Sequence, residues 1–281
     1  MENPTSQTGM TLAILLLSWN TANLLADCLR SIPAGAVGLD YAIIVVDNAS
    51  TDGSPDMVAR DFPDVQLIRS PENLGFARGN NLGIRAADPG TPYLLLLNSD
   101  TLVKPGALTA LVRFMDAYPE AGAVGPRLLR PDGTPQPYAF GGDPTLRYLL
   151  RRGLKRLLFH RYLHDWAMNE TLTVDWVSGA CMLVRRAAIE QVGLLDENMF
   201  MYFEDSDWCL RMRQAGWKVY YHPQAEIVHL GGQSLKKNPQ ARQAYFTSLR
   251  YFYRKHYSPW TRAFLAFFAC FLPFYRRMAG H

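Results

Sequence analysis

The sequence predicts an α/β fold built on a doubly wound, mostly parallel sheet with helices on both faces, followed by C-terminal helices. In residues 11–120, short apolar segments alternate with segments whose apolar residues recur at helical spacing. The apolar segments are continuous, as in strands that are buried on both faces. Alternation of this kind is typical of parallel strands joined by right-handed helical crossovers.

Strands and helices are predicted in turn along this first part of the chain. Continuous apolar runs predict strands at residues 12–18, 41–46, 65–68 and 93–97. Helical spacing predicts helices at residues 23–31, 57–61, 76–87 and 105–118. The last helix has Pro105 in its first turn, which proline favours because no helical hydrogen bond is lost there.

The second part of the chain is less regular. Glycine and proline are frequent at residues 121–137, where the strand–helix pattern breaks, and Asp132-Gly133 predicts a tight turn. Beyond it we predict a basic helix at residues 145–166, strands at 174–177, 180–184, 219–221 and 226–230, a helix at 203–215, and C-terminal helices at 239–256 and 260–278. The expected organisation is a flexible N-terminus at 1–10, a domain at 11–235 and C-terminal helices at 236–281.

Composition argues against several classes of protein. The chain has 281 residues, a hydrophobic fraction of 48% and a modest net charge of +4, and no nucleic-acid partner is expected. Its cysteines, Cys28, Cys181, Cys209 and Cys270, form no Cys-x-x-Cys pair, so zinc and redox motifs have no support. Free thiols and a polar N-terminus without an apolar core predict a cytoplasmic protein that lacks a signal peptide.

Basic regions and an apolar C-terminal segment suggest contact with a membrane surface. Lysine and arginine are concentrated at residues 147–161 and 236–277, which could face an anionic surface or form solvated helix faces. Residues 263–275 are apolar and rich in phenylalanine, but too few to span a bilayer. For this segment we favour a peripheral, interfacial helix at the inner face of the cell membrane over a helix packed on the core.

Polar side chains follow three of the predicted strands. The first two strands run into Ser18-Trp19-Asn20 and Asp47-Asn48, and the fourth runs into Asn98-Ser99-Asp100. The carboxyl ends of parallel strands line the crevice in which open α/β sheets bind ligands. A carboxylate there can accept hydrogen bonds from a nucleobase or a ribose hydroxyl. The alternative for Asp47 and Asn48 is a structural turn.

A glycine-containing segment follows the third strand and opens a helix: Asn73-Leu74-Gly75-Phe76-Ala77-Arg78-Gly79-Asn80-Asn81. A helix N-terminus is a natural anion site, and Arg78 adds a positive charge that a diphosphate could use. The spacing matches neither Gly-x-Gly-x-x-Gly nor a phosphate loop ending in Gly-Lys-Ser/Thr. A dehydrogenase and a simple NTPase are therefore disfavoured.

Asp100 is the best candidate for a metal ligand. Carboxylates suit Mg²⁺ and Mn²⁺, which keep open positions for substrate phosphates. Asn98 could add an oxygen, directly or through water, and His229, at the end of a predicted strand, could add an imidazole nitrogen. A structural histidine is the alternative reading of position 229.

Two adjacent carboxylates, Glu204 and Asp205, lie at the start of a predicted helix. They could cap that helix, where acidic residues are favoured by its dipole. Alternatively, they could supply a general base that takes a proton from an attacking hydroxyl, while the preceding aromatic residues stack on a sugar. Asp207 lies four residues before Arg211, so we assign it to a structural ion pair.

In order and spacing, these segments resemble glycosyltransferase family 2, the inverting enzymes with the GT-A fold, and most closely its rhamnosyltransferase-like branch. The resemblance covers roughly residues 12–232 and rests on residues 18–20, 46–54, 73–81, 97–100, 177–182 and 203–207. It implies a GT-A catalytic domain at 11–235, with a nucleotide-binding half at 11–120 and an acceptor half at 121–235.

The resemblance also implies roles for individual residues. Donor binding would fall to Ser18, Asn20, Asp47, Asn48, Asn73, Gly75, Arg78, Asn80, Asn98 and Ser99. The acceptor side would be formed by Trp176, Gly179, Ala180 and Tyr202. Asp205, with Glu204 beside it, would be catalytic, and Asp100 and His229 would bind Mg²⁺ or Mn²⁺. The family's usual Asp-x-Asp begins here with Asn98, which leaves direct metal contact by residue 98 in question.

The implied function is metal-dependent, inverting transfer of a sugar in the synthesis of cell-surface polysaccharide. The donor would be a nucleoside-diphosphate sugar, dTDP-rhamnose first or a UDP-sugar, and the acceptor a hydroxyl of a saccharide or lipid-linked saccharide. A nucleotidyltransferase is an alternative, but residues 18–21 lack the glycine-rich, basic loop it needs. A non-catalytic nucleotide-sugar-binding scaffold is another, and the acids at 100, 204 and 205 speak against it.

Overall fold

The computed structural model describes residues 10–231 and 241–263. The strands in these ranges are β1 (Leu12–Ser18), β2 (Tyr41–Asp47), β3 (Gln66–Arg69), β4 (Tyr93–Asn98), β5 (Thr101–Val103), β6 (Ala121–Leu129), β7 (Phe140–Gly141), β8 (Leu172–Thr173), β9 (Trp176–Val177), β10 (Cys181–Arg185) and β11 (Lys218–His229). The helices are α1 (Ala22–Gly35), α2 (Ser54–Asp61), α3 (Gly75–Ala86), α4 (Ala107–Ala117), α5 (Leu146–Phe159), α6 (Arg186–Val192), α7 (Glu204–Gln214) and α8 (Ala241–His256).

One central sheet organises the fold, in the order β3-β2-β1-β4-β10-β6-β11-β5. Strand β1 pairs in parallel with β2 and β4, and β11 pairs in parallel with β6. The antiparallel strand β10 lies between β4 and β6, and β5 pairs antiparallel with β11. The predicted α/β fold with a mostly parallel central sheet is thus confirmed.

The central strands are continuous apolar runs because helices cover the sheet. Strands β1 and β4 are almost entirely buried. Helix α3 packs against β1 and β2, and α4 packs against β6 and β11. Burial of these side chains supplies the main favourable free energy of folding.

The break that we predicted in the strand–helix pattern at residues 121–137 is wrong for residues 121–129. Residues Ala121–Leu129 form β6, a buried strand in the middle of the sheet. A Cβ at Gly125 would lie 2.7 Å from the Val177 side chain, so glycine allows a close approach there. Pro126 is accommodated at a register shift in the pairing with β11. The turn at Asp132-Gly133 is present, with the Gly133 N–H bonded to the Arg130 carbonyl.

Several other boundaries differ from the prediction. The two short strands expected at 219–221 and 226–230 are one strand, β11, with irregular register between His222 and Glu226. Strand β5 and helix α6 were not predicted, because each is too short to show a period. The basic helix expected at 145–166 ends at Phe159.

Some predictions fall on parts of the chain outside the described residues. These are the flexible N-terminus, apart from residue 10, the segment 232–240, and the phenylalanine-rich segment, of which only residue 263 is described. The helix expected at 239–256 is α8, and a further helix begins at residue 259. Among the described residues, no helix is both long and apolar enough to cross a membrane.

Candidate active site

The predicted donor residues at the strand ends, Ser18, Asp47 and Asn98, meet at the carboxyl edge of β1, β2 and β4. Ser18 is aligned with Asp47 across the β1–β2 pair, and Leu17 with Asn98 across the β1–β4 pair. Parallel pairing therefore brings the ends of three strands, far apart in sequence, to one edge of the sheet.

Hydrogen bonds between loops hold this edge in place. The Thr51 N–H donates to Asn20 Oδ1 at 2.8 Å, and the Asn20 N–H donates to Ser50 Oγ at 2.9 Å. Asn20 has φ 54°, a left-handed conformation that asparagine tolerates better than most residues. The loops after β1 and β2 are thus tied together.

Asp47 presents an oxygen that no described residue satisfies. The carboxylate is buried, and its Oδ2 accepts from the Ser50 N–H at 3.1 Å. Its Oδ1 is also buried but has no hydrogen-bond partner. Buried polar atoms without partners are rare because they cost free energy. A ligand donor, such as a base N–H, would satisfy this oxygen.

Asn48 and Asn73 connect this edge to α3. The Asn48 side chain donates to Asn73 Oδ1 and accepts from the Leu74 N–H, both at 2.8 Å. Asn73 Oδ1 also accepts from the Gly75 N–H at 3.0 Å. In the described structure these two predicted donor residues therefore support the loop that leads into α3.

The N-terminus of α3 is partly engaged by the protein itself. The Phe76 N–H donates to the Phe200 carbonyl at 2.6 Å, and Gly75 has φ 77° where a Cβ would collide with Phe200. The buried Asn80 side chain donates to the Phe76 carbonyl within the helix. Arg78 is half-exposed, with Nε 3.9 Å from Glu197 Oε2, so its guanidinium is accessible to an anion.

Asp100 and His229, the two predicted metal ligands, lie next to each other. His229 Nε2 is 3.2 Å from Asp100 Oδ1, and both side chains are largely buried. The other ring nitrogen, Nδ1, is 3.0 Å from the amide oxygen of Gln136. Because that oxygen only accepts, Nδ1 donates to it, and this bond holds the ring with Nε2 directed at the carboxylate.

This donor set fits a divalent cation. A carboxylate oxygen and an imidazole lone pair that face each other require a proton or a cation between them, and an oxygen that orients the other ring nitrogen is typical of metal-binding histidines. Asn98 Nδ2 lies 3.5 Å from the same Nε2, so the amide nitrogen of residue 98 faces this pair. Within the described ranges, no cluster of three or more acidic, histidine or cysteine side chains accompanies the pair.

Ser99 and Ser18 are joined through a residue that the sequence did not single out. Thr21 Oγ1 is 2.9 Å from Ser99 Oγ and 3.0 Å from Ser18 Oγ, and all three residues are buried. The hydroxyls thus link the end of β1 to the loop that carries Asp100. Nothing in the local sequence distinguishes Thr21, because its link to the Asp100 loop is made through Ser99, which is distant in sequence.

Asp205 occupies the first turn of α7 and is held by hydrogen bonds to both oxygens. Its Oδ2 accepts from the Gly179 N–H at 3.2 Å, and its Oδ1 accepts from the Ser206 N–H at 2.7 Å. Burial raises the pKa of this carboxyl above its ordinary value, although these hydrogen bonds oppose the rise. A carboxylate with a raised pKa is a better proton acceptor.

Glu204 has a different environment from its neighbour. It is buried, and its Oε2 has no partner among the described residues. Burial, and secondly the charge of Asp205, raises the pKa of Glu204 well above its ordinary value. A protonated Glu204 leaves Asp205 as the ionised member of the pair.

The predicted acceptor residues divide into two groups. A Cβ at Gly179 would lie 3.0 Å from the Phe76 ring and 3.7 Å from the Asp205 Cβ, so Gly179 lies at the predicted base. Tyr202 directly precedes the two acids, and burial raises its pKa to about 12. Trp176, in contrast, donates from Nε1 to the Gly142 carbonyl and packs over Gly141, which is a structural contact.

Hydrogen bonds to backbone groups connect Asp205, the predicted base, to the end of β4. Asp205 is bonded to Gly179, and the carbonyl of the next residue, Ala180, accepts from the Asn98 N–H at 2.9 Å. Asn98 in turn is two residues from Asp100. The carboxylates at 47, 100 and 205 are therefore connected through one continuous set of strand ends and loops.

Comparison with known proteins identifies the family. A model of the glycosyltransferase-like family 2 matches residues 10–245. The chain belongs to glycosyltransferase family 2. It is 34% identical to the N-acetylglucosaminyl-diphospho-decaprenol L-rhamnosyltransferase of Mycobacterium tuberculosis, over 79% of this chain and 77% of the relative. It is 26% identical to the rhamnosyltransferase WbbL of Escherichia coli, over 68% of this chain and 78% of the relative.

Solved structures agree in fold. Staphylococcus aureus TarS matches with a TM-score of 0.59 and 13% identity, over 84% of this chain and 39% of TarS. GalNAc-T7 with UDP, GalNAc and Mn²⁺ matches with a TM-score of 0.56 and 15% identity, over 79% of this chain and 44% of that structure. This chain thus spans less than half of either structure. The predicted GT-A fold and the predicted inverting glycosyltransferase are confirmed.

Proposed function

We propose that this glycosyltransferase moves a rhamnosyl group from dTDP-rhamnose to a hydroxyl of a lipid-linked saccharide. The relatives named as rhamnosyltransferases support this donor and acceptor class. The observation that carries the proposal is the position of Asp205, which is held by Gly179 at the acceptor side and linked through Ala180 to the strand end that bears Asp100.

The reaction is a single in-line displacement. The acceptor hydroxyl attacks the anomeric carbon of the donor, and Asp205 takes the hydroxyl proton. The bond between that carbon and the diphosphate oxygen breaks, so the nucleoside diphosphate leaves and the anomeric configuration inverts. General base catalysis of this kind contributes roughly 10²- to 10⁴-fold to the rate.

The donor is held at the strand ends. Asp47 accepts a hydrogen bond from the nucleotide through its unpartnered Oδ1, with Ser18 and Asn20 beside it. Arg78 lies on the first turns of α3, where its half-exposed guanidinium pairs with the diphosphate. Asn48, Asn73 and Gly75 shape the loop that this diphosphate follows.

Asp100 and His229 would hold Mg²⁺ or Mn²⁺. When bound, such an ion neutralises charge on the leaving diphosphate. A lipid-linked acceptor supports the further proposal that the enzyme works in the cytoplasm, at the inner face of the cell membrane.

Product analysis with purified protein tests the function. Wild type is incubated with an N-acetylglucosaminyl-diphospho-lipid and either dTDP-rhamnose or UDP-sugars, with and without Mn²⁺. We expect release of dTDP and an inverted rhamnosyl product only with dTDP-rhamnose and metal. Release of pyrophosphate would instead indicate a nucleotidyltransferase, and donor binding without turnover would indicate a scaffold.

The variant Asp100→Ala tests the metal site in the same experiment. We expect it to lose the stabilisation that dTDP and Mn²⁺ together give to wild type in thermal unfolding, because ligand affinity appears as added stability. The control Asp64→Ala removes an exposed carboxylate outside the site. Equal metal-dependent stabilisation of both variants would contradict the role of Asp100.

A further inference from the structure

Helix α5 exposes four of its leucines to solvent. Leu150, Leu154, Leu157 and Leu158 are 46–64% exposed. Their spacing places them on one stripe of the helix, the stripe that normally faces the core of a globular protein. Here the same stripe faces outward.

The orientation of α5 is set by contacts on its opposite face. Tyr148 Oη lies 2.9 Å from His164 Nε2, and its ring covers Gly142, where a Cβ would lie 2.8 Å from it. Lys155 Nζ donates to the Leu163 carbonyl at 3.4 Å. The face that carries Tyr148 and Lys155 thus meets the flanking segments at residues 142 and 163–164, and the four leucines lie on the other side of the helix.

Charge around the stripe has a single sign. Residues 145–161 contain no acidic residue, and their basic residues are Arg147, Arg151, Arg152, Lys155, Arg156 and Arg161. Arg147 and Arg151 are exposed and border the leucines. The aromatic side chains Phe159, Tyr138 and Tyr162 are 66%, 47% and 42% exposed at the same end of the helix. A leucine stripe with basic and aromatic neighbours is the composition of helices that lie in a membrane interface.

We propose that α5 lies flat on an anionic lipid bilayer, with its leucines among the acyl chains and its arginines at the lipid phosphates. Charge complementarity selects this occupant, since residues 145–161 supply basic and apolar side chains and no acidic one, and anionic lipid offers the counterpart of both. The proposal rests on the proposed function in one respect: the bilayer is where a lipid-linked acceptor resides.

The helix is also connected to the catalytic helix. Asp143, just before α5, pairs with Arg213 of α7 at 2.6 Å, and its N–H donates to Asp175 at 2.8 Å. Strand β7, which leads to α5, pairs with β9, which leads to Gly179. These contacts join the segment that leads into α5 to the segment that leads to Gly179 and to helix α7, which carries Asp205.

Vesicle co-sedimentation of the full chain tests the proposal. The probes are vesicles of phosphatidylglycerol with phosphatidylethanolamine, and vesicles of phosphatidylcholine alone. We expect wild type to bind the anionic vesicles and to be released by high salt. Replacement of all four leucines by glutamine should weaken binding at least about tenfold. Val37→Gln is the matched control for Leu158→Gln, because the two side chains are 65% and 64% exposed. Only Leu158→Gln should weaken binding to the vesicles.

Other outcomes overturn the proposal. Undiminished binding by the four-leucine variant would mean that another part of the chain contacts lipid. A wild-type dimer that the variant dissociates, without vesicle binding, would assign the stripe to a second copy of the chain. Circular dichroism of each variant checks that it is folded.

An acceptor comparison separates this proposal from the proposed function. The four-leucine variant should transfer normally to an acceptor with a short, water-soluble alkyl chain, and at least about tenfold more slowly than wild type to a long-chain acceptor in vesicles. Equal rates on the vesicle acceptor would overturn the role of α5. If wild type transfers to neither acceptor, the proposed function fails, whereas vesicle binding still decides the role of α5.

Discussion

The two proposed halves of the domain, a nucleotide-binding half at 11–120 and an acceptor half at 121–235, hold their polar groups in different environments. In the first half, the polar side chains at the strand ends are bonded mainly to neighbouring loops, as Asn20 is to residues 50 and 51 and Asn48 is to residues 73 and 74. These bonds fix the geometry before a donor arrives. The exception is the buried Oδ1 of Asp47, which has no hydrogen-bond partner among the described residues.

In the proposed acceptor half, burial and uncommon backbone angles cost free energy at the residues around Asp205, the predicted base. Glu204 is buried with an unpartnered oxygen, and burial raises the pKa of both Glu204 and Asp205. Tyr202 and Phe203 have φ 71° and 68°, which is uncommon for aromatic residues. Such costs are found at functional sites. This difference supports the proposal that the first half binds the donor and the second half carries the proton transfer.

The largest effect is expected at the base. Asp205→Asn should lower kcat by about 10³-fold, because an amide cannot take the acceptor proton. Since burial raises the pKa of Asp205, the acidic limb of the pH–rate profile of wild type should lie above the ordinary pKa of aspartate, with activity lost as the pH falls through it. The measurements are steady-state rates and dTDP affinity, which the substitution should leave nearly unchanged.

Glu204→Gln is the matched control for that substitution. It replaces a neighbouring carboxyl that is expected to be protonated, so kcat should change by less than about tenfold. If both variants lost kcat to a similar extent, the assignment of different roles to Asp205 and Glu204 would be wrong. Full turnover by Asp205→Asn would remove Asp205 from the role of base.

An intermediate effect is expected in the nucleotide-binding half. Asp47→Asn should weaken dTDP binding by about 10- to 100-fold, because a hydrogen bond to a charged, buried group contributes roughly 1.5–3 kcal/mol. Turnover at saturating donor should change little, which is the signature of lost ground-state binding. Isothermal titration calorimetry measures the affinity, and the exposed Asp40→Asn is the control. Unchanged affinity would show that the free oxygen of Asp47 does not meet the nucleotide.

Features that show as a local pattern could be predicted from the sequence, whereas contacts between distant residues could not. Asp47 and Asp100 each follow a continuous apolar run, so strand periodicity alone places them at one edge of the sheet. Thr21 and Gln136 escaped prediction because their partners, Ser99 and His229, are distant in sequence. Strand β6 was not predicted, because glycine and proline in a sequence indicate a loop. In the structure, the glycine allows close packing and the proline lies at a register shift.

Helix α5 shows a second kind of limit. Its apolar period predicts a helix with two unlike faces, and the structure bears out that helix at Leu146–Phe159. The period does not reveal which face meets the domain, because that depends on contacts such as Tyr148 with His164. Only the fold shows that the leucines point outward.

The smallest expected effect is on stability. Because the pKa of Glu204 is raised in the folded state, the native protein keeps a proton that the unfolded chain releases above about pH 4.3, the ordinary value for glutamate. Stability therefore falls as the pH rises through this window. Glu204→Gln does not titrate, so it should be more stable than wild type at pH 7 by about 1 kcal/mol, because a pKa raised by one unit corresponds to roughly 1.4 kcal/mol. Thermal unfolding from pH 4 to 8 should show a difference that grows with pH, and a pH-independent difference would mean that Glu204 is not held protonated beside Asp205.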